Sequence, residues 1–217
     1  MSAMRGIVLG LAIVLGGVQG AAAISFNEIG DAGDLPGSSQ AAGALPLLTS
    51  ITGSIGSSTD VDMFAITFSQ AGNFSASTTH LGTLLDSQLF LFKSPGLGVV
   101  ANDDNPLSVG SAIPSTGVNP GQYFLGISSF DVDPASSGGL IFPSFPFNEA
   151  FGPTGPGGAN VISHWQGTGG TGTYFVNLTL EPALAPVPEP ATLLLLGTAL
   201  TGGAWLRKRL SRTGRQN

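Results

Sequence analysis

The chain has 217 residues, among them 33 Gly and 15 Pro, no Cys, and only 9% charged residues. Its net charge of −6 is unevenly spread: Ile24 to Ala185 holds twelve acidic residues against one basic residue, Lys93, a local net of −11. That balance excludes a nucleic-acid-binding body, which needs a basic face, and the lack of Cys excludes disulfides, zinc-thiolate sites and a cysteine nucleophile. Frequent turn residues and few charges point to a β-rich body of about 160 residues, the size of one domain.

Residues 1–23 have the layout of a signal peptide. Arg5 gives a positive start, Ile7 to Val18 is an apolar run broken only by glycines, and Ala21 and Ala23 supply small residues at −3 and −1. The expected partner is signal peptidase, cutting before Ile24.

The body, residues 24–182, alternates with the period of strands rather than helices. Phe64, Ile66 and Phe68 share one face, and Met63, Ala65 and Thr67 the other. Residues 74–78 follow a turn at 70–73. Residues 84–92 read as one longer strand, apolar after Gln88 and therefore central. Tyr123, Leu125 and Ile127 alternate with Phe124, Gly126 and Ser128, and Tyr174, Val176, Leu178 and Leu180 alternate with polar or aromatic neighbours. Weaker strands are expected at 51–55, 99–101 and 107–113. The pattern G-x-Y-F occurs at Gly121–Phe124 and at Gly172–Phe175, and reads as two similar turns entering strands. The expected fold class is all-β: an antiparallel β-sandwich or jelly roll. Residues 131–170, with nine Gly, five Pro and Phe142, Phe145, Phe147 and Phe151, are expected to form a long loop, part of it packed down as a lid.

Residues 183–186 form a linker to a three-part tail, residues 187–217. Val187, Pro188, Glu189 and Pro190 come first, a largely apolar stretch follows at 191–206, and Arg207, Lys208 and Arg209 open a basic end at 207–217. As a helix the apolar stretch spans about 24 Å, short of the roughly 30 Å hydrocarbon core, and can cross if its flanking arginines snorkel. The basic cluster marks the cytoplasmic side, so the body lies outside. This order closely resembles the PEP-CTERM sorting signal of bacteria that make extracellular polysaccharide. The resemblance implies exosortase as the processing enzyme and this chain as its substrate.

The body's acidic residues fall in groups: Glu28, Asp31 and Asp34; Asp60 and Asp62, on one face of a strand; Asp86; and Asp103 with Asp104. With so few counter-charges they either cap turns through backbone amides or hold a cation such as calcium, which prefers several oxygen ligands. Asp103 and Asp104, adjacent in a turn, are expected to point apart into solvent. No nucleophile-elbow, zinc-protease or phosphate-loop motif occurs, and the two histidines are His80 and His164.

The run Asp60-Val61-Asp62-Met63-Phe64 resembles the strand start of bacterial pre-peptidase C-terminal domains. Ala71–Phe74, Leu85–Phe92, Asn102–Asp104 and Gly121–Phe124 follow in that family's order. The resemblance implies a β-sandwich and, through the related collagen-binding domains, calcium held by Glu28, Asp31, Asp60 and Asp62. The functions expected are therefore a non-catalytic surface or matrix protein associated with extracellular polysaccharide, or a carbohydrate- or protein-binding adhesion module using residues 142–151 and Trp165 for stacking.

Overall fold

The structure, a computed structural model, describes residues 22–78, 84–106 and 108–183. The chain divides into two units, Met1–Pro182 and Ala183–Asn217. Ala21, most of the signal segment and the tail from residue 184 onward lie outside the described residues, as does His80; Ala23 is exposed. Among the described residues no helix is long and apolar enough to cross a membrane.

Fourteen strands are described. In chain order they are β1 (Ile24–Asn27), β2 (Gln40–Leu45), β3 (Leu48–Ile55), β4 (Val61–Phe68), β5 (Gly72–Ser77), β6 (Ser87–Lys93) and β7 (Leu97–Asn102). Then come β8 (Ala112–Val118), β9 (Gly121–Ser129), β10 (Val132–Ser136), β11 (Gly139–Leu140), β12 (Ala150–Phe151), β13 (His164–Gly167) and β14 (Gly172–Pro182). They form a five-stranded sheet β1-β3-β14-β5-β8, a six-stranded sheet β12-β7-β6-β9-β4-β2, and a small sheet β11-β10-β13.

The all-β expectation holds for the described residues, with three corrections. First, the sheets are mixed: β1 runs parallel to β3 and β2 parallel to β4. The segment 24–45 therefore gives one edge strand to each large sheet and crosses between them. Second, residues 131–170 are not one loop. They carry β10 to β13 and cover the outer face of the six-stranded sheet. Third, the strand expected at 84–92 begins at Ser87, and Leu84 is exposed; the strand expected at 107–113 is β8, at 112–118.

The main core lies between the two large sheets. Phe64, Ile66, Phe68, Leu89, Leu91, Tyr123, Leu125 and Ile127 face Ile51, Phe74, Tyr174, Val176 and Leu178, and all are buried. A second core fills the other face of the six-stranded sheet, where Met63, Phe90, Phe92 and Phe124 meet Ile141, Phe142 and Ile162. This explains two kinds of strand sequence. β14 has a wet outer face and alternates, whereas β6 is covered on both faces and is almost continuously apolar.

Candidate functional site

The segment crossing between the two sheets carries Glu28, Asp31 and Asp34, and it lies over one end of the main core. Two backbone bonds fix it: Glu28 N–H donates to Thr52 O (2.8 Å) and Met63 N–H to Gly33 O (3.1 Å). Asp62 follows the first residue of β4 and points inward, opposite Ile127 of β9, with no solvent exposure. The end of the core is therefore closed by a carboxylate instead of an apolar side chain.

One carboxylate oxygen from each of Asp31, Asp60 and Asp62 lies within 4.8 Å of the other two. Two oxygens bound to the same calcium, each about 2.4 Å from it, are separated by no more than about that distance. Three of the four residues expected from sequence are thus brought together. Glu28 stands beside them, and its two oxygens accept from Ala32 N–H (3.1 Å) and Ser54 N–H (2.9 Å). The capping reading is also realised: Asp31 accepts from Gly33 N–H (2.8 Å) and Asp60 from Gly56 N–H (2.5 Å). Each of those two bonds engages one oxygen of its carboxylate.

Tyr174 completes the site. The ring is buried in the main core, and its hydroxyl donates to Asp62 Oδ2 (2.7 Å). Sequence reading placed Tyr174 on the inner face but did not join it to the acids. The join comes from the strand pairing alone: the start of β14 is antiparallel to the end of β3, with Tyr174 opposite Gly53. Gly53 is required there, because a Cβ would collide with both the Tyr174 hydroxyl and Glu28 Oε2.

Burial pushes the Asp62 carboxyl up to about 8; the Tyr174 hydrogen bond opposes this, and Glu28 and Asp60 add to it. Tyr174 is itself raised, by burial and then by Asp62. Asp34 is raised by burial and by Asp60 and Asp31. A group this crowded with like charge, at the end of a core, favours either a proton or a cation.

A second acidic group overturns an expectation. Asp103 and Asp104 do not point apart into solvent: one oxygen from each, and one of Asp86, lie within 4.8 Å of one another. The β6–β7 pairing, Leu89 opposite Asn102, brings together residues far apart in sequence. Burial raises the Asp103 carboxyl to about 7, with Asp104, Asp86, Asp133 and Asp131 adding to the shift.

The aromatic residues of 142–165 divide. Phe142 is buried, while Phe145 and Phe147 are exposed and meet edge to face. Trp165 is not a free stacking platform. Its ring packs edge-on against Phe90 and Phe92, over Gly126, and its indole N–H donates to Asp34 O (2.6 Å). His164 is exposed, with Nδ1 3.0 Å from Ser163 Oγ.

Residues 186–209 match the PEP-CTERM protein-sorting motif. The tail is a sorting signal. It implies an exported, membrane-anchored precursor sorted to the cell surface, with exosortase as its processing enzyme. The sorting residues Val187, Pro188, Glu189 and Pro190 and the basic stop Arg207, Lys208 and Arg209 lie outside the described residues. No curated protein matches the chain in sequence. Among solved structures, the chain is similar to the pre-peptidase C-terminal domain of collagenase from Bacillus anthracis, with 13% identity and a TM-score of 0.37 over 74% of this chain and 100% of that one. It is also similar to PliG of Salmonella Typhimurium, a periplasmic inhibitor of g-type lysozyme, with 12% identity and a TM-score of 0.26 over 72% and 98%. Likenesses at that level say nothing of ligand or activity.

Proposed function

We propose that the chain is a non-catalytic cell-surface or matrix protein, retained with extracellular polysaccharide after exosortase has processed its tail. The observation that carries this reading is the sorting motif at 186–209. Export follows from the signal segment 1–23, and residues 191–206 tether the precursor. The strongly acidic body suits a hydrated matrix, because like charge keeps it soluble and apart from its copies. In this reading Asp31, Asp60 and Asp62, with Glu28 beside them, hold calcium and pin the new N-terminal strand β1 to the sandwich. The support is their shared geometry and the raised Asp62 carboxyl.

Mass spectrometry of the protein from its native envelope tests the sorting. The expected form begins at Ile24 and lacks Arg207, Lys208 and Arg209. Retention of that basic stop in cells with active exosortase would leave a plain membrane anchor. Loss of polysaccharide synthesis should then move the processed protein into the medium.

One observation favours a second reading, an adhesion module. Phe145 and Phe147 expose 72% and 40% of their surface beside each other, and exposed aromatic pairs suit stacking on sugar rings or on a protein partner. A glycan array run with and without calcium separates the readings. Binding lost in Phe145→Ala would support the module.

A further inference from the structure

The acidic group at Asp86, Asp103 and Asp104 lies where the start of β6, the end of β7 and the turn after β9 converge. Its backbone is held from several sides. Asp86 O accepts from Phe130 N–H (2.9 Å), and Asp104 N–H donates to Phe147 O (2.8 Å). Ser111 Oγ donates to Asp103 O (2.6 Å), and Asn102 Nδ2 to Asp104 O (3.1 Å). The carboxylates are therefore placed by the fold and not by their own contacts.

The Asp103 carboxylate and one oxygen of Asp104 have no such partners among the described residues. Both oxygens of Asp103 and Oδ1 of Asp104 each expose less than 1 Å² and meet no hydrogen-bond donor among the described residues. Asp103 and Asp104 are half-buried as whole residues, so their exposed parts are not these oxygens. Buried polar atoms in folded proteins nearly always find a donor, water or an ion, and the Asp103 oxygen that lies within 4.8 Å of one oxygen each of Asp86 and Asp104 is one of these orphans. Asp131 and Asp133 stand close enough to raise the Asp103 carboxyl, so no neighbouring carboxylate relieves the crowding. The single basic residue of the body, Lys93, ends β6 while the acids lie at its start. Asp103 also faces a cavity of about 20 Å³ that it lines with Asp133, Gln88 and Asn102, room for one water beside that carboxylate.

We propose that Asp86, Asp103 and Asp104 form a second divalent-cation site, of calcium type, separate from the group around Asp62. Carboxylates alone supply its protein ligands, which suits a hard cation that takes six to eight oxygens and tolerates irregular geometry. The site clamps the β6–β7 hairpin to the turn after β9 and to the segment that covers the outer core. It stands on its own contacts and does not depend on an ion at Asp31, Asp60 and Asp62.

The test counts calcium ions bound by the full chain in detergent, by titration calorimetry, with magnesium as the comparison. The wild-type chain should take up one calcium that is lost in the double variant Asp103→Asn, Asp104→Asn and kept in the double variant Asp31→Asn, Asp60→Asn. If the N-terminal group also binds, the total is two, and each double variant removes one. Calcium uptake unchanged by Asp103→Asn, Asp104→Asn would overturn the second site, whatever the N-terminal variants show. Melting in chelator guards against a folding artefact. Asp103→Asn should melt higher than wild type without calcium and gain less from calcium. An equal rise with and without calcium would mean that the substitution only relieves repulsion, and would also overturn the site.

Discussion

The two acidic groups lie at the same end of the six-stranded sheet, on either side of β9, yet the fold treats them differently. Around Asp62 it supplies donors: the Tyr174 hydroxyl and the amides of Ala32, Gly33, Ser54 and Gly56. Around Asp103, among the described residues, it supplies none that reaches either oxygen. Carboxylates are concentrated in both places with almost no counter-charge, so the difference lies in backbone amides. The crossing segment 28–34 turns tightly and exposes N–H groups, whereas the N-D-D turn has its own backbone bonds already made. The first group has donors whether or not an ion is bound. The second, on our proposal, is completed by one.

The largest expected effect strikes the first group. Tyr174→Ala removes a buried ring and the hydroxyl bound to Asp62, and should cost about 3–5 kcal/mol in denaturant unfolding. Tyr174→Phe keeps the ring and should cost about 1–3 kcal/mol, the penalty of an unmet buried acceptor. Equal loss in both variants would show that the hydroxyl is the whole contribution and the packing none.

The pH dependence comes next. Asp62, facing Glu28, Asp60 and Tyr174, is raised to about 8, and Asp103, facing Asp104, Asp86, Asp133 and Asp131, to about 7. Unfolded, both titrate near the ordinary aspartate value of about 3.9. Folding therefore takes up protons in between. The stability these groups contribute is full below about pH 4 and is lost as the pH rises through 7 to 8. The chelated protein should melt higher at pH 5 than at pH 8, and calcium should flatten the slope. A chelated protein that melts higher at pH 8 would contradict both shifts.

The smallest effect is expected at an exposed residue of the first group. Asp31→Asn should change stability in chelator by less than about 0.5 kcal/mol, while lowering the calcium-induced rise in melting temperature. A rise as large as that of wild type would leave turn capping as the role of that carboxylate.

Much of this was legible in the sequence, for stated reasons. β4, β6, β9 and β14 are long enough for their alternation to fix which residues share a face, and the two carboxylates flanking Val61 follow from that period. The strands of 131–170 are two to five residues long and carry no period, so only their pairing makes them strands. The outer core was hidden for the same reason, although β6 hinted at it by being apolar on both faces. The Asp86–Asp103–Asp104 group had a usable signal. Counting outward from the Ser94–Gly96 turn, the register of Leu89 with Asn102 continues to bring Asp86 level with the Asp104–Asn105 corner. The parallel edge strands β1 and β2 could not be foreseen, because edge pairing depends on which sheet leaves a ladder open.

β14 has a mechanical consequence for a tethered protein. It runs through the middle of the five-stranded sheet for eleven residues, roughly 35 Å; its first half, Gly172 to Asn177, is bonded to β3 on one side, and its second half, Asn177 to Pro182, to β5 on the other. Its first residues lie at the acidic end, by Tyr174, and the chain leaves the sandwich from its other end at Pro182. Any tug transmitted along the tail before processing therefore meets the β5 ladder first and the β3 ladder behind it. The bonds share that load in shear, where they resist together, instead of being peeled one after another as at an edge strand. The strand nearest the anchor is held by β5 where the tail leaves it and by β3 farther in.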